Sequence, residues 1–351
     1  MPPGWNSKRC RELRELLLSG FQKRQLYAIS GDEYDNPLAG DAINKAQRDA
    51  LSAGEFPPDV SGEAIHLTTS LAELHDLKRA FDENEREKAP TVNLHFNAKF
   101  SRTSIYRKNT PVHSTIAGSL AYQLRSRLSL SNNFDFVGDT AISNSLPIPD
   151  LFVSYTDWKA GVVYRPILAL KVGFSESRES LESCVKALLT EVPDVGVVVL
   201  VDIKETPNYK NPLLKAVYSK ISRDLLQQDP KLLLKQDVYL EDSSDKNSSL
   251  FRFGLRWVGR LRGSAQVWKR DPKSNKPISE EQVTFLGPNA EENPRLKLKL
   301  SDFVPSDIDK LKDDYAFDCS EWAMRLERAR WFLARNRSGV AIGNLRKYNP
   351  N

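Results

Sequence analysis

The chain has 351 residues, enough for one large domain or two, and its 28% charged and 40% hydrophobic residues are typical of a globular protein. No apolar run is long enough to cross a bilayer, and the first residues lack the charged and apolar regions of a signal peptide. We therefore expect an intracellular protein of the nucleus or cytoplasm, without membrane contacts. Cys10, Cys184 and Cys319 are single and widely spaced, which argues against a disulfide framework or a zinc site.

Positive charge is unevenly distributed, although the net charge is only +5. Residues 88–134 contain no acidic residue and several lysines and arginines, and residues 250–270 repeat this pattern. Clustered cations without neighbouring acids attract polyanions such as nucleic acid. The same residues can equally form solvated faces that pair with acids from elsewhere in the chain.

Residues 1–90 are predicted to form an N-terminal helical region. Apolar residues recur at helical spacing in segments 10–21 and 70–81, and Ser70 begins a capping-box sequence in the second segment. The next residues are highly charged and end at Pro90, which marks the predicted boundary of this region.

Residues 91–240 are predicted to form an α/β core. The predicted order is a helix at 111–129, strands at 134–143, 150–156 and 167–174, a helix at 177–190 capped by Ser177, and a strand at 195–203. The last strand is almost continuously apolar, as expected for a strand covered on both faces. We therefore expect a mixed central sheet flanked by helices.

Residues 250–351 are predicted to form a β-rich extension and a C-terminal helix that packs on the core. Residues 250–262 alternate between apolar and basic side chains, which predicts one strand with a basic face. Residues 271–294 have the composition of a long exposed loop, and residues 320–336 have the apolar spacing of a helix. The basic face of the predicted strand contains Arg252, Arg256 and Arg260.

The core contains two sequence elements that resemble the PD-(D/E)XK nuclease superfamily. Pro149-Asp150 precedes an apolar strand, and the next strand ends in the sequence Lys171-Val172-Gly173-Phe174-Ser175-Glu176-Ser177. These elements are similar to those of fungal restriction-endonuclease-like proteins, in which a Pro-Asp strand is followed by a strand ending Glu-Val-Gly-x-Ser-x-Ser. The resemblance implies a restriction-endonuclease-like core, Mg²⁺-dependent phosphodiester hydrolysis and a metal-binding role for Asp150.

The chain departs from the pattern of the superfamily at two positions. Lys171 replaces the metal-binding Glu, and Gly173 stands where the superfamily has its Lys. A protonated lysine cannot ligate Mg²⁺ and repels it. The resemblance leaves Glu176 as a displaced carboxylate and Lys186 as a displaced cation. Alternatively, Lys171 forms an ion pair with Asp150, Glu176 stabilises a helix N-terminus and Lys186 is simply solvated.

These features predict a nuclease-like protein with a degenerate active site that is weakly active or inactive and binds DNA or RNA. Arg252, Arg256 and Arg260 are the predicted contacts to phosphates. Two alternatives stay open. One is a non-catalytic module that binds another protein, and the other is an active Mg²⁺-dependent endonuclease that uses a displaced carboxylate.

Overall fold

The structure is a computed structural model and divides into two compact units, Met1–Lys108 and Asn109–Asn351. Each unit is described by itself. The described residues are 26–28, 64–68, 92–97, 102–107, 110–128, 134–138, 149–157, 162–174, 176–213, 227, 236–304 and 314–348.

The first unit contains an antiparallel sheet with the strand order β1-β2-β4-β3. Its strands are β1 (Leu26–Ala28), β2 (Ala64–Thr68), β3 (Val92–Asn97) and β4 (Arg102–Arg107). The expectation of a purely helical region through residue 90 is therefore wrong for β1 and β2, and the unit extends to Lys108. The predicted helices at 10–21 and 70–81 lie outside the described residues.

The second unit is built on a six-stranded mixed sheet with the order β13-β12-β8-β7-β6-β5. Strands β7 and β8 are parallel, and the other neighbours in the sheet are antiparallel. The mixed sheet that the sequence predicts is present. Its strands are β5 (Phe134–Gly138), β6 (Leu151–Asp157), β7 (Val162–Phe174), β8 (Val197–Thr206), β12 (Arg260–Arg270) and β13 (Pro277–Leu286).

Helices cover both faces of this sheet. The helix α1 (Pro111–Leu128) packs its apolar stripe on one face, and α2 (Arg178–Glu191) packs on the opposite face. Ser177 caps α2 as predicted, because its side chain accepts a hydrogen bond from the Ser180 backbone N–H at 3.2 Å. Strand β8 is buried between these layers, which explains its continuously apolar sequence.

The predicted single strand at 250–262 is wrong. Instead, β10 (Leu250–Arg252) turns back into β11 (Leu255–Val258), and β12 begins after that. The two turn residues, Phe253 and Gly254, have φ values of 58° and 70°, the sign that a tight hairpin turn requires. With β9 (Tyr239–Leu240), this hairpin forms a three-stranded sheet in the order β11-β10-β9.

The predicted loop at 271–294 is also partly wrong, because β13 lies inside it and pairs with β12. After β13, strand β14 (Arg295–Lys299) pairs with β15 (Asp314–Asp318). The C-terminal helix α3 (Cys319–Tyr348) is longer than expected and buries the four predicted packing residues Trp322, Leu326, Ala329 and Leu333. In the described part of the chain, no helix combines the length and apolar character needed to span a membrane.

Candidate functional site

Strand pairing brings Asp150 beside Lys171. Strands β6 and β7 are antiparallel with Leu151 opposite Leu170, and the Asp150 backbone N–H donates to the Leu170 carbonyl at 2.9 Å. The residue that precedes β6 is therefore held against the last residues of β7. This is the strand pairing on which the sequence-based site prediction depended.

The Asp150 carboxylate has two partners inside the protein. Its Oδ2 atom accepts a hydrogen bond from the Val172 backbone N–H at 2.7 Å and lies 3.7 Å from Lys171 Nζ. Both side chains of the ion pair are largely withdrawn from water, with exposed fractions of 5% for Asp150 and 13% for Lys171. Removing a charge from water is costly unless an opposite charge compensates it, and in this pair each charge compensates the other. This is the ion pair that the sequence left open as an alternative to a metal site.

The position of Gly173 has no space for a side chain. A Cβ atom added there would lie 2.4 Å from Leu181 Cδ1, and Leu181 is fully buried in the interface between α2 and the sheet. The resemblance expects a lysine at this position. In this protein Leu181 fills the corresponding volume, so the local packing requires glycine.

Two further charged residues extend the site along β8. Asp202 lies opposite Gly173 in the parallel pairing of β7 with β8, and Lys204 Nζ is 3.2 Å from Asp202 Oδ1. Lys204 also donates a hydrogen bond to the backbone carbonyl of Glu176, just before α2. We call Asp150, Lys171, Glu176, Asp202 and Lys204 the charged cluster.

Burial controls the protonation of two acids in the charged cluster. Burial raises the pKa of Glu176 above its usual value, and the positive charges of Lys171 and Lys204 partly oppose this effect. Burial likewise raises the pKa of Asp202, with Lys204 opposing it. Glu176 therefore interacts electrostatically with both members of the ion pair.

The charged cluster does not have the donor set of a magnesium site. Among the residues that the structure describes, no group of three or more His, Cys, Asp or Glu side chains is arranged to hold a metal ion. Mg²⁺ prefers several oxygen ligands in an octahedral arrangement, whereas an ammonium group lies against Asp150. The residues present do not fit the metal that the resemblance implies.

Lys186 is not placed where a displaced catalytic cation would be. Its side chain is 51% exposed, and its Nζ atom pairs with Glu182 at 3.3 Å. The same ammonium group lies 5.3 Å from the ring centre of Trp268. Cys184 of α2 also interacts with the charged cluster, because burial raises its pKa to about 11 against the opposing charge of Lys171.

The three predicted phosphate contacts are separated by the hairpin. Arg252 is only 4% exposed and donates hydrogen bonds to the Gln236 carbonyl at 3.1 Å and to Ser338 Oγ at 2.8 Å. The prediction that it contacts phosphates on a surface is therefore wrong, because its guanidinium group is used inside the fold. Arg256 is exposed on β11, and Arg260 on β12 pairs with Asp245 at 3.3 Å.

Asp202, Lys204 and Cys184 were not among the predicted site residues. The available signal was Asp202, the first residue to interrupt the continuously apolar run of β8. An acid in such a strand requires a compensating partner, and Lys204, two residues further along β8, supplies it. Lys204 and Cys184 had no comparable signal in the sequence.

Comparisons with known proteins identify no relative. No family model, no curated protein and no solved structure matches this chain. The chemistry of the charged cluster must therefore be inferred from its own contacts.

Proposed function

We propose that the second unit is a nuclease-like domain in which an ion pair has replaced the metal site. In this proposal the protein is weakly active or inactive as a nuclease, and it functions by binding nucleic acid. The observation that supports it most directly is the contact between Lys171 and Asp150 at 3.7 Å. A cation occupies the side of the carboxylate where the resemblance expects Mg²⁺.

The order of the structural elements supports the nuclease-like fold. Helix α1 is followed by three antiparallel strands, β5 to β7, then by α2 and by β8, which is parallel to β7. This is the order of elements on which the resemblance was based. Fold alone does not establish an activity, so the proposed loss of catalysis depends on the charged cluster.

Two contacts explain why catalysis would be weak or absent. Lys171 neutralises Asp150 and repels a divalent cation, and Leu181 occupies the space beside Gly173 that a second lysine would need. Metal-assisted hydrolysis requires a metal that activates water and stabilises the developing charge. The charged cluster places an ammonium group beside Asp150, and position 173 carries no cation.

A cleavage assay tests the proposed loss of activity. The native protein and Asp150→Ala would be incubated with single- and double-stranded DNA and RNA in Mg²⁺ or Mn²⁺, beside the surface variant Lys186→Ala. We expect the same background level of cleavage from all three proteins. Robust Mg²⁺-dependent cleavage by the native protein that disappears in Asp150→Ala would contradict the proposal and support an active nuclease with a displaced carboxylate.

Fewer arginines are free to bind nucleic acid than the sequence suggested. Arg252 is buried, and Arg270 donates its guanidinium hydrogen bonds to the carbonyls of Leu189, Val192 and Pro193 at the end of α2. Arg256 stays exposed on the hairpin. Because Arg252 and Arg270 are used inside the fold, they do not support nucleic-acid binding. This favours the second candidate, a non-catalytic module that binds another protein. Salt-dependent binding of DNA or RNA would distinguish nucleic-acid binding from that candidate.

A further inference from the structure

Three side chains form a row across the small sheet of β9, β10 and β11. Phe251 on β10 lies directly opposite Tyr239 on one neighbouring strand and Arg256 on the other. Directly opposite residues in antiparallel strands project to the same face of the sheet. We call Tyr239, Phe251 and Arg256 the aromatic row.

The aromatic row lies on the outer face of this sheet. Leu250, the neighbour of Phe251 on β10, is fully buried and belongs to the core. Since successive side chains of a strand point to opposite faces, Phe251 and the two residues opposite it point away from that core. Tyr239 is 47% exposed, Phe251 is partly exposed and Arg256 is exposed.

The two rings are stacked on one another. Their centres are 6.0 Å apart and their planes are inclined by 28°. An aromatic pair of this kind usually contributes to a core, but here the tyrosine ring remains open to solvent. The pair therefore offers an aromatic surface on which a further planar group can stack.

The described charged residues around the aromatic row do not pair with Arg256, so its guanidinium group can contact a ligand. Within the part of the chain that the structure describes, no ion pair or hydrogen bond engages its guanidinium group. Asp237 is paired with Arg335 at 3.7 Å, and Arg260 is paired with Asp245 at 3.3 Å. Asp237 and Glu241 flank Tyr239 in the sequence and are both exposed, which limits the attraction of the row for polyanions. Stacking must therefore supply most of any affinity.

We infer that the aromatic row is a contact site for single-stranded nucleic acid, with a base stacked on Tyr239 and a phosphate beside Arg256. This inference rests on the proposed nucleic-acid-binding function and locates it on the protein. Base stacking on aromatic side chains tolerates any sequence, and an adjacent cation follows the backbone. A duplex keeps its bases stacked internally, so the row should prefer single strands.

Fluorescence anisotropy with a labelled oligothymidylate tests this site. Tyr239→Ala should weaken binding roughly 5- to 150-fold, the effect of losing one base–aromatic stack. Tyr239→Phe keeps the ring and should bind like the native protein. Arg256→Ala should reduce the slope of log affinity against log salt by about 0.7, the value for one phosphate of a single strand.

Matched controls come from the exposed side of α3. Phe332 is 62% exposed and Arg328 is exposed, so Phe332→Ala and Arg328→Ala remove an aromatic ring and an arginine elsewhere on the surface. Both should bind the oligonucleotide like the native protein. Circular dichroism and thermal unfolding of every variant would verify that a loss of binding does not reflect a loss of folding.

The outcomes separate the site from the broader function. If the native protein binds and Tyr239→Ala binds equally well, the aromatic row is not the site, although nucleic-acid binding stands. If the native protein binds no oligonucleotide even at low salt, both the site and the nucleic-acid part of the proposed function are wrong. Tighter binding to the matching duplex than to the single strand would also overturn the inference.

Discussion

Glu176 makes the stability of the protein depend on pH. Burial raises the pKa of Glu176 in the folded protein above the ordinary value of 4.5. At pH values between these two pKa values, the folded protein keeps a proton that the unfolded chain has released. The free energy of unfolding should therefore fall as pH rises from about 4.5 through the raised pKa. Glu176→Gln cannot ionise and should lack this decline.

Urea unfolding of native protein and Glu176→Gln at several pH values measures this effect. The stability of the variant relative to the native protein should increase as pH rises through that window. Asp202→Asn should change the pH dependence with the same sign, because burial also raises the pKa of Asp202. A relative stability that is constant or decreases with pH would show that the charged form of Glu176 is well compensated.

At the residue scale, the sequence was informative about Asp150 and Lys171 but not about their surroundings. The Pro-Asp step before an apolar strand and the lysine near the end of the next strand pointed to their proximity, and the structure shows the ion pair. Asp202 joins the site because it lies opposite Gly173 in the β7–β8 pairing. Such a register depends on the whole sheet, and a shift of one residue would turn Asp202 to the other face.

At the element scale, Gly173 couples β7 to α2. Gly173→Ala would push its Cβ atom against the buried Leu181 side chain and should cost about 1–3 kcal/mol of stability, as overpacking of a core usually does. Gly118→Ala is the matched control. Gly118 lies in α1 with nothing within 4 Å of an added Cβ atom, so that substitution should stabilise the protein by about 0.5–1 kcal/mol.

A double-mutant cycle with Leu181→Ala isolates this contact. The double variant should lose less stability than the sum of the two single variants, because the shortened side chain makes room for the new methyl group. Chemical denaturation of the four proteins provides the free energies. Strict additivity would show that α2 moves away from β7 instead of competing with the new side chain for space.

Helices and strands could be predicted where the apolar residues of a segment follow a single helical or strand pattern. Helices α1 and α2 and strand β8 are close to their predicted ranges, because their apolar patterns match the burial that the sheet imposes. The hairpin was missed because alternation continues through Phe253, whose positive φ is uncommon for a bulky residue. Strand β13 was missed because its first half is mostly polar and exposed, so its sequence does not resemble a strand. It becomes a strand because it pairs with β12, which lies in a different part of the sequence.

At the scale of the second unit, buried arginines of α3 hold the small sheet to the core. Arg337 Nη1 lies 2.8 Å from Glu205 Oε1, and it donates to the Trp257 carbonyl at 3.0 Å. Arg330 similarly donates to the carbonyls of Lys246 and Ser248. Arg252, one of the three predicted phosphate contacts, adds a hydrogen bond from the hairpin to Ser338 of α3.

Substitution of Arg337 tests this connection. Arg337→Met would leave the Glu205 carboxylate, which is 1% exposed, without its cation, and should cost about 3–5 kcal/mol of stability. Arg335→Met is the control, since Arg335 is 55% exposed and forms a surface ion pair worth less than about 1 kcal/mol. Equal losses in urea unfolding would mean that Glu205 finds another partner.

Binding of Mn²⁺ tests most directly whether an ion pair has replaced the metal site. Calorimetric titration would compare the native protein with Asp150→Asn, which removes the carboxylate charge, and with Lys171→Glu, which places a second carboxylate beside Asp150. We predict that the native protein and Asp150→Asn give the same titration and that only Lys171→Glu gains a binding event. A stoichiometric Mn²⁺ site in the native protein that is lost in Asp150→Asn would contradict this account.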